Sequence, residues 1–592
     1  MIAASGFLSA SRGLAIAAGL FLMGFAGLVS NAGIERALLG TASGALSWGP
    51  TLFRVLLAGH GLALMLAGIV SPSGPRSEAA SRIGETESAA GAGGRTFVSP
   101  WVLLSVLSGV ALALRLWTLN SCLWFDEVLT LVDFVRAPLG QIVTRFPSQN
   151  QHMLFSVLAR GSIAAFGESA WALRLPSVAF GIASVWALFL LARRIVGERE
   201  ALLACALTVV SYHHVWFSQN ARGYMGLLFF ATLSTWLWLE AVDRRSWSGH
   251  LAYAVAVALG MWTHLTMVFV PVAHAIVYAV HLARRARREV AARRLSVVIF
   301  RPIVGWVLAG SLTLQLYALS LPEFLRTGLH EVSLQSEWTS PFWVISESLR
   351  SLQIGFGALA VVLCGLLVAS AGWLNLARRS WMAAAALILP PLLGGTIMLA
   401  LGHNLWPRFF FFAMGFAILI AVHGAMTVPR LLLLPFPALR SRESMAAAAG
   451  TGALLLMIAA SACTLPRAYA LPKQDFTGAR NYLEGARRDG DAVVAVGLAG
   501  VAYSRYFAPR WQNIDSAAEL EEALRFHPHV WLVYTLPVEL KAYHSAVWDV
   551  VDREFEVVKI FPGTLGGGDV TVCRERSKGK LARNESSGAI LR

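Results

Sequence analysis

Residues 100–127 read PWVLLSVLSGVALALRLWTLNSCLWFDE, an apolar run that closes on Leu123-Trp124-Phe125-Asp126-Glu127. The run has the length needed to cross a hydrocarbon core of about 30 Å. The two adjacent carboxylates after it stand where a membrane would give way to water. Acids at that depth are costly unless solvated or paired, which marks Asp126 and Glu127 as functional candidates.

Working outward, apolar segments of similar length recur near 13–33, 52–71, 176–192, 201–216, 222–241, 250–263, 266–282, 302–321, 352–374, 381–401, 408–428 and 445–465. With 100–118 they make thirteen expected spans, of which the pair 250–263 and 266–282 is the shortest. At 592 residues, 56% hydrophobic and 14% charged, the composition excludes an ordinary soluble protein and predicts a polytopic α-helical membrane protein. The net charge of +15 resides largely in arginines of short loops: Arg193, Arg194, Arg199, Arg244, Arg245, the cluster 284–294, Arg378, Arg379, Arg430, Arg440 and Arg442. If spans alternate, all fall on one side, which the positive-inside rule makes cytoplasmic. That origin for the charge displaces nucleic acid as a partner. The Asp126 loop, the turn at His213–Arg222, the turn at 263–266, the 322–350 loop, the 402–408 turn and the C-terminal region then lie outside the cytoplasm. The expected location is a cell membrane, bacterial inner or plasma, with the site extracytoplasmic. The five cysteines are scattered without CxxC spacing, so neither a disulfide framework nor a zinc site is indicated.

The expected organisation is a two-helix N-terminal addition (1–71), a flexible cytoplasmic linker (72–98), a transmembrane core (99–465), a small extracytoplasmic α/β domain (466–576) and a polar tail (577–592). A signal peptide cut near Ser30-Asn31-Ala32 is the alternative for the first segment, set against its long apolar run and the lone Arg12 preceding it. In the C-terminal region, Asp475–Arg488 and Ala517–Phe526 have helical spacing. Ala492–Val496, Val530–Tyr534, Phe555–Phe561 and Val570–Cys573 read as strands. Neither GxGxxG nor a P-loop occurs there, so nucleotide binding is unsupported.

The polar residues that survive at the outer boundary form a candidate site. Asp126, Thr130 and Asp133 at i, i+4, i+7 predict one polar stripe on a short interfacial helix, with Val128, Leu131, Val132 and Val135 as its apolar side. Glu127 shares a face with Leu131 and Phe134, so desolvation should raise its pKa unless a cation is near. The plainer reading of the pair is an N-cap and a first-turn acid. In Trp216-Phe217-Ser218-Gln219-Asn220-Ala221-Arg222-Gly223-Tyr224, the Arg222 fork suits a phosphate, and Gln219 can share its face. An interfacial anchor is the alternative, since Trp, Tyr and Arg collect at membrane boundaries. Arg174, before Pro176, could pair with Asp126 or Glu127, meet a phosphate, or snorkel. His264 and Arg408 would join the same cavity. His152 precedes the stretch 153–166, whose length suits an interfacial helix. Glu331 and Glu337 would line an acceptor groove, or belong to a solvated loop.

Trp124-Phe125-Asp126-Glu127 resembles the first-loop acidic motif of GT-C glycosyltransferases. Among these it is similar to the protein O-mannosyltransferases and the lipid A aminoarabinose transferases. The resemblance continues through Phe166–Ser177, Trp216–Tyr224, Trp262-Thr263-His264 and Glu337-Trp338-Thr339-Ser340-Pro341, over roughly 100–430, and Lys473-Gln474-Asp475-Phe476 resembles the opening of the family's soluble domain. The chain departs from the pattern at Asn220, where many relatives carry Glu, and at His152-Met153, where they carry His-Pro. Residues 1–98 have no counterpart in it.

The resemblance implies a GT-C fold and inverting transfer of a hexosyl or pentosyl group, mannosyltransferase-like, from a polyprenyl-phosphate donor. The acceptor would be a protein, glycolipid or polysaccharide of the cell envelope. Asp126 would act as base and Glu127 would position the acceptor or assist. Arg222 would lead in binding the donor phosphate, with Arg174, His264 and Arg408 behind it. Asp133, His152, Gln219, Tyr224, Glu331 and Glu337 would line the acceptor side. No cofactor is expected. A divalent metal held by Asp126, Glu127, Asp133 and His152 is possible in donor chemistry but no ligand spacing favours it. The competing class is a transporter or flippase of lipid-linked sugars. The chain lacks the repeated halves such proteins commonly show.

Overall fold

The computed structural model describes residues 2–70, 98–286, 292–328, 340, 342, 346, 358–433 and 443–576. Among the described residues, helices occupy the segments expected to span, so the chain is a polytopic helical membrane protein. Among the described residues, nine helices are long and apolar enough to cross a membrane, or up to eleven if each of two bent pairs is one span. The thirteen expected spans include two further helices shorter than these. Pro100–Leu116 and Trp247–Thr263 have only 17 residues each, about 25 Å of helix. The segment expected at 201–216 is broken into Glu198–Val209 and Tyr212–Ser218, bent by 63°. The linker 72–98 (but for residue 98), the tail 577–592, Glu331 and Glu337 lie outside the described residues.

Close helix packing rests on glycine. A Cβ on Gly424 would lie 2.0 Å from the Val368 carbonyl oxygen, so Ala358–Arg379 and Met414–Leu433 can meet only with a hydrogen there. The helix Ala170–Val196 sets the long dimension. Its 27 residues span about 40 Å. One end carries Arg174. The other carries Arg194, which binds Glu240 at 2.8 Å and also pairs with Asp243. This helix starts six residues before the expected 176, with Pro176 inside it. Proline cannot donate to the Ala172 carbonyl, and the Ser162 hydroxyl donates to it instead at 2.6 Å.

At the Arg174 end lie the short helices Phe125–Leu129, Leu139–Thr144 and Met153–Phe166, the last matching the interfacial helix expected at 153–166. The C-terminal region forms a five-stranded sheet, order β2-β1-β3-β5-β4, from β1 (Ala492–Val496), β2 (Gln512–Ile514), β3 (Val530–Thr535), β4 (Phe555–Phe561) and β5 (Val570–Glu575). β1 runs parallel to β2 and β3, while β5 is antiparallel to β3 and β4. β1 and β3 are buried along their whole length, as their unbroken apolar sequences require. The four expected strands are present. β2, too short and polar to register as a strand, and the helices Pro537–Tyr543 and Ser545–Glu554 are additional.

One face of the sheet packs under Ala517–Phe526 and Ser545–Glu554 through Val494, Leu532, Leu520 and Val550. The other contributes Val493, Val533 and Phe561 to a core that also contains Phe476 of the helix Phe476–Ala486 and Leu123, Val128, Leu131, Phe155 and Ala172. The C-terminal region and the first loop therefore share one hydrophobic core.

Candidate active site

The loop 217–223 is the centre of the site. After Ser218 the chain turns tightly, with the Arg222 N–H donating to the Asn220 carbonyl at 2.7 Å. The Ser177 hydroxyl, one turn past Arg174, lies 2.6 Å from the Asn220 carbonyl oxygen and 3.1 Å from that of Arg222. Gly223 is required here. A Cβ would fall 2.4 Å from His152 Nδ1 and 2.8 Å from the Thr263 carbonyl oxygen.

Glu127 and Arg174 form a fully buried bidentate pair, Nε to Oε1 at 2.8 Å and Nη2 to Oε2 at 2.5 Å. Glu127 also accepts from the Ala221 N–H at 2.7 Å and the Trp124 N–H at 3.3 Å. Arg174 donates further to the carbonyls of Leu119, Ser121 and Cys122 and to the Ser121 hydroxyl. Burial alone would raise the Glu127 carboxyl. The Arg174 charge, then that of Lys473, outweigh it and hold the group below the usual carboxylate range. Two open expectations are resolved. The cation anticipated only conditionally is present and reverses the direction of the Glu127 shift. Of the options open to Arg174, pairing is the one realised. Its donors are committed, which leaves none for a phosphate.

Asp126 is different. Its Oδ2 lies 3.6 Å from Arg408 Nη1 and 3.8 Å from Arg222 Nη2, beyond hydrogen-bond reach, and it is buried without a hydrogen-bond partner. Arg222 is nearly fully buried and held by Asn150, Nη1 to the carbonyl at 3.0 Å and Nη2 to Oδ1 at 2.6 Å, with Thr130 Oγ1 at 3.3 Å. Arg408 rests on the rings of Trp406 and Phe409. The Nε of both arginines and the Tyr224 hydroxyl are likewise buried and unpaired. Two guanidiniums, a carboxylate and a phenol thus converge with polar atoms unsatisfied by the protein.

His152, His264 and Tyr224 complete the wall, with ring centroids 4.8 Å apart for the histidines and 5.4 Å from each to Tyr224. Burial first, then the Arg222 charge, push His152 well below its ordinary range and His264 down to about 3, so both are neutral. His152 Nδ1 accepts from the Gly223 N–H at 3.2 Å, and His264 Nδ1 accepts from the Thr266 N–H at 3.2 Å. The proton then sits on Nε2 of each, an assignment made from the hydrogen bonds. His264 is a neutral donor rather than a cation.

Two expected site residues lie elsewhere. Asp133 pairs with Arg505 of the C-terminal region. The helix from Phe125 gives way at Thr130 to a π turn, Thr130–Val135, whose wider winding rotates Asp133 off the Asp126–Thr130 stripe. Gln219 donates from Nε2 to the carbonyls of Arg115 at 3.1 Å and Trp117 at 2.5 Å, tying down the end of Pro100–Leu116 instead of facing the site. Asn220 accepts from Trp124 Nε1 at 3.0 Å.

Residues not anticipated are Asn150, which orients Arg222, and Lys473 and Gln474 of the segment entering the C-terminal region. Gln474 Oε1 accepts from the Phe125 N–H at 2.9 Å. Lys473 Nζ donates to the Gln219 carbonyl. The run Ser148-Gln149-Asn150-Gln151-His152, five polar residues before an apolar helix, was the available signal for Asn150. Among the described residues, no three of His, Cys, Asp and Glu converge as a metal-ligand set.

No curated protein matches the chain in sequence. Among solved structures it is similar to the Archaeoglobus fulgidus oligosaccharyltransferase in the apo form, at 12% identity over 77% of this chain and 73% of that one, TM-score 0.47. It is also similar to ArnT from Cupriavidus metallidurans in the apo state, at 15% identity over 80% and 97%, TM-score 0.45. Arabinosyltransferase EmbB from Mycobacterium smegmatis is similar at 13% identity over 71% and 43%, TM-score 0.38. Residues 150–307, which carry His152, Arg174, Arg222, Tyr224 and His264, match the family model of the dolichyl-phosphate-mannose-protein mannosyltransferases. Over that stretch, about a quarter of its length, this membrane protein resembles that family.

Proposed function

We propose that the protein is a membrane glycosyltransferase that moves a sugar from a polyprenyl-phosphate donor to an acceptor hydroxyl on the extracytoplasmic face. The observation that carries this reading is the Asp126 carboxylate set between Arg222 and Arg408, ion-paired with both but hydrogen-bonded to neither. The family match supports a donor whose sugar is linked to a lipid phosphate. A phosphate entering between the two guanidiniums replaces Asp126 as their counter-anion. Arg222 is fixed by Asn150 in the orientation that receives it, and His264 and Tyr224 offer neutral donors.

The freed Asp126 then takes the proton of the acceptor hydroxyl as its oxygen attacks the anomeric carbon. The bond from that carbon to the phosphate oxygen breaks with its electron pair on the phosphate, where the guanidiniums stabilise the charge. Attack opposite the leaving group inverts the anomeric centre. Glu127 serves by holding Arg174 and the loop beneath Asp126, not by proton transfer. With two arginines at the leaving phosphate this reading calls for no metal ion, and it expects a chelator to leave the rate unchanged.

The test uses purified full-length protein in nanodiscs with a labelled polyprenyl-phosphate sugar. Release of polyprenyl phosphate, lost in Asp126→Asn and Arg222→Ala, supports transfer. Movement of intact donor across a proteoliposome membrane without bond cleavage would establish the transporter reading instead.

A further inference from the structure

A cavity of about 410 Å³ lies away from Asp126, between the turn that closes Pro100–Leu116, the helix Tyr212–Ser218 and the segment entering the C-terminal region. None of Asp126, Arg222, Tyr224 and Arg408 lines it. Its volume falls within the roughly 300–1,000 Å³ of small-molecule sites.

The turn forming one wall is strained and clamped. Thr118 has φ 55°, a left-handed conformation that is rare for a β-branched residue. Buried side chains hold the turn on both sides of it. Gln219 binds the carbonyls of Arg115 and Trp117, and Arg174 binds those of Leu119 and Ser121. Strain of this kind persists where surrounding structure over-determines it, and collects at ligand sites.

The opposite wall carries Lys473, the one cation among the lining residues, buried and 5.1 Å from the Trp216 ring centroid. One of its three N–H donors goes to the Gln219 carbonyl. Of the acids near it, Glu127 is engaged by Arg174, and Asp475, which lines the cavity, accepts from the Gly478 N–H to cap the next helix. Thr118, Asn120 and Thr564 add hydroxyl and amide groups to the lining.

We propose that this cavity is a second binding site, for a sugar unit bearing a phosphate or carboxylate, with Lys473 as the ligand of the anion. Burial, opposed by Glu127, brings the Lys473 ammonium down to about 7. A bound anion holds it protonated, so affinity falls as pH rises above neutrality. The other groups facing it, Arg174, Asp475, Tyr469 and Cys122, do not reverse that direction. Burial raises both the Tyr469 phenol and the Cys122 thiol, which opposes their ionisation. The inference does not depend on the transfer reading, because binding is measured without turnover.

The test is titration of the full-length chain in phosphatidylcholine nanodiscs with glucose 1-phosphate, glucuronate and neutral glucose. Both anions should bind more tightly than glucose, and less tightly at pH 9 than at pH 6.5. Lys473→Met should weaken anion binding by about ten- to a hundredfold, the loss of a charge-assisted hydrogen bond. Ala468→Phe, which fills the cavity and keeps the lysine, should abolish the Lys473-dependent component of anion binding, while Arg222→Ala leaves that component unchanged. Nanodiscs containing phosphatidylinositol distinguish the source. Competition there identifies a lipid headgroup, and its absence a soluble or polymer-borne sugar. Equal affinity for glucose and the anions, wild-type binding by both cavity variants, or loss of the Lys473-dependent component in Arg222→Ala would overturn the proposal.

Discussion

Replacing Arg174 by methionine tests whether the Glu127 pair is structural. The substitution keeps most of the aliphatic stem and removes two hydrogen bonds to Glu127, three to backbone carbonyls and one to the Ser121 hydroxyl. Leaving one partner of a buried ion pair uncompensated costs about 3–5 kcal/mol. The buried Leu119 carbonyl, left without its donor, adds about 1–3 kcal/mol. Against a total stability of roughly 5–15 kcal/mol the variant should be close to unfolding.

The sign of the pH dependence should also reverse. In the wild type the Glu127 carboxyl is depressed below its usual 4.5, so its stabilisation is complete above 4.5 and is lost as pH falls through the folded value. Without Arg174, burial dominates and raises the folded value. The group then stabilises below 4.5, and that contribution is lost as pH rises through the new folded value. Equilibrium unfolding in mixed micelles, followed by tryptophan fluorescence between pH 4 and pH 8, reads both effects. Glu127→Met combined with Arg174→Met should recover much of the loss, since no lone carboxylate stays buried. A single variant as stable as wild type, or additive losses in the double variant, would refute the argument.

Asp126→Asn should lower turnover by about 10²–10⁴-fold, the range for a general base, while shifting the unfolding midpoint far less than Arg174→Met. An equal shift would make Asp126 structural too. Asp133→Ala removes a pair with Arg505 whose side chains are 31% and 39% exposed, so stability should change by about 0–1 kcal/mol and transfer should persist. Loss of transfer would return Asp133 to the site. Lys473 is depressed to about 7 from its usual 10.5, so the unfolded chain binds the extra proton between those values and stability rises with pH across that window. Lys473→Met should flatten the rise, as unfolding at pH 7 and pH 10 will show.

Topology alone collected Asp126, Arg222, His264 and Arg408 from four separate stretches, because each follows or precedes an apolar segment on the same side. The strands of the C-terminal region were equally legible, since β1 and β3 are unbroken apolar runs. Other features depend on geometry that spacing does not encode. A 100° rotation per residue puts Asp133 beside Thr130, and only the π turn carries it to Arg505. Pro176 reads as a helix start, yet the helix begins at Ala170 because a serine on a neighbouring helix supplies the missing donor. Charge type left Arg174 several partners, and the four-residue reach from Leu119 to Cys122 around its guanidinium decides among them. Asn150 and Lys473 come from segments whose closeness to Arg222 and Glu127 is purely tertiary.

The hydrogen bond from the Phe125 amide to Gln474 spans 349 residues. At synthesis rates of about 5–20 residues per second, the first loop waits roughly twenty seconds to a minute for that partner to emerge. Throughout that interval the amide of Phe125, the apolar face of Val128 and Leu131, and the carbonyl of Gln219 lack the groups that cover them. The nascent chain therefore holds its acidic loop unfinished until the last region arrives, and a truncated product should present that loop as a recognisable target for membrane quality control.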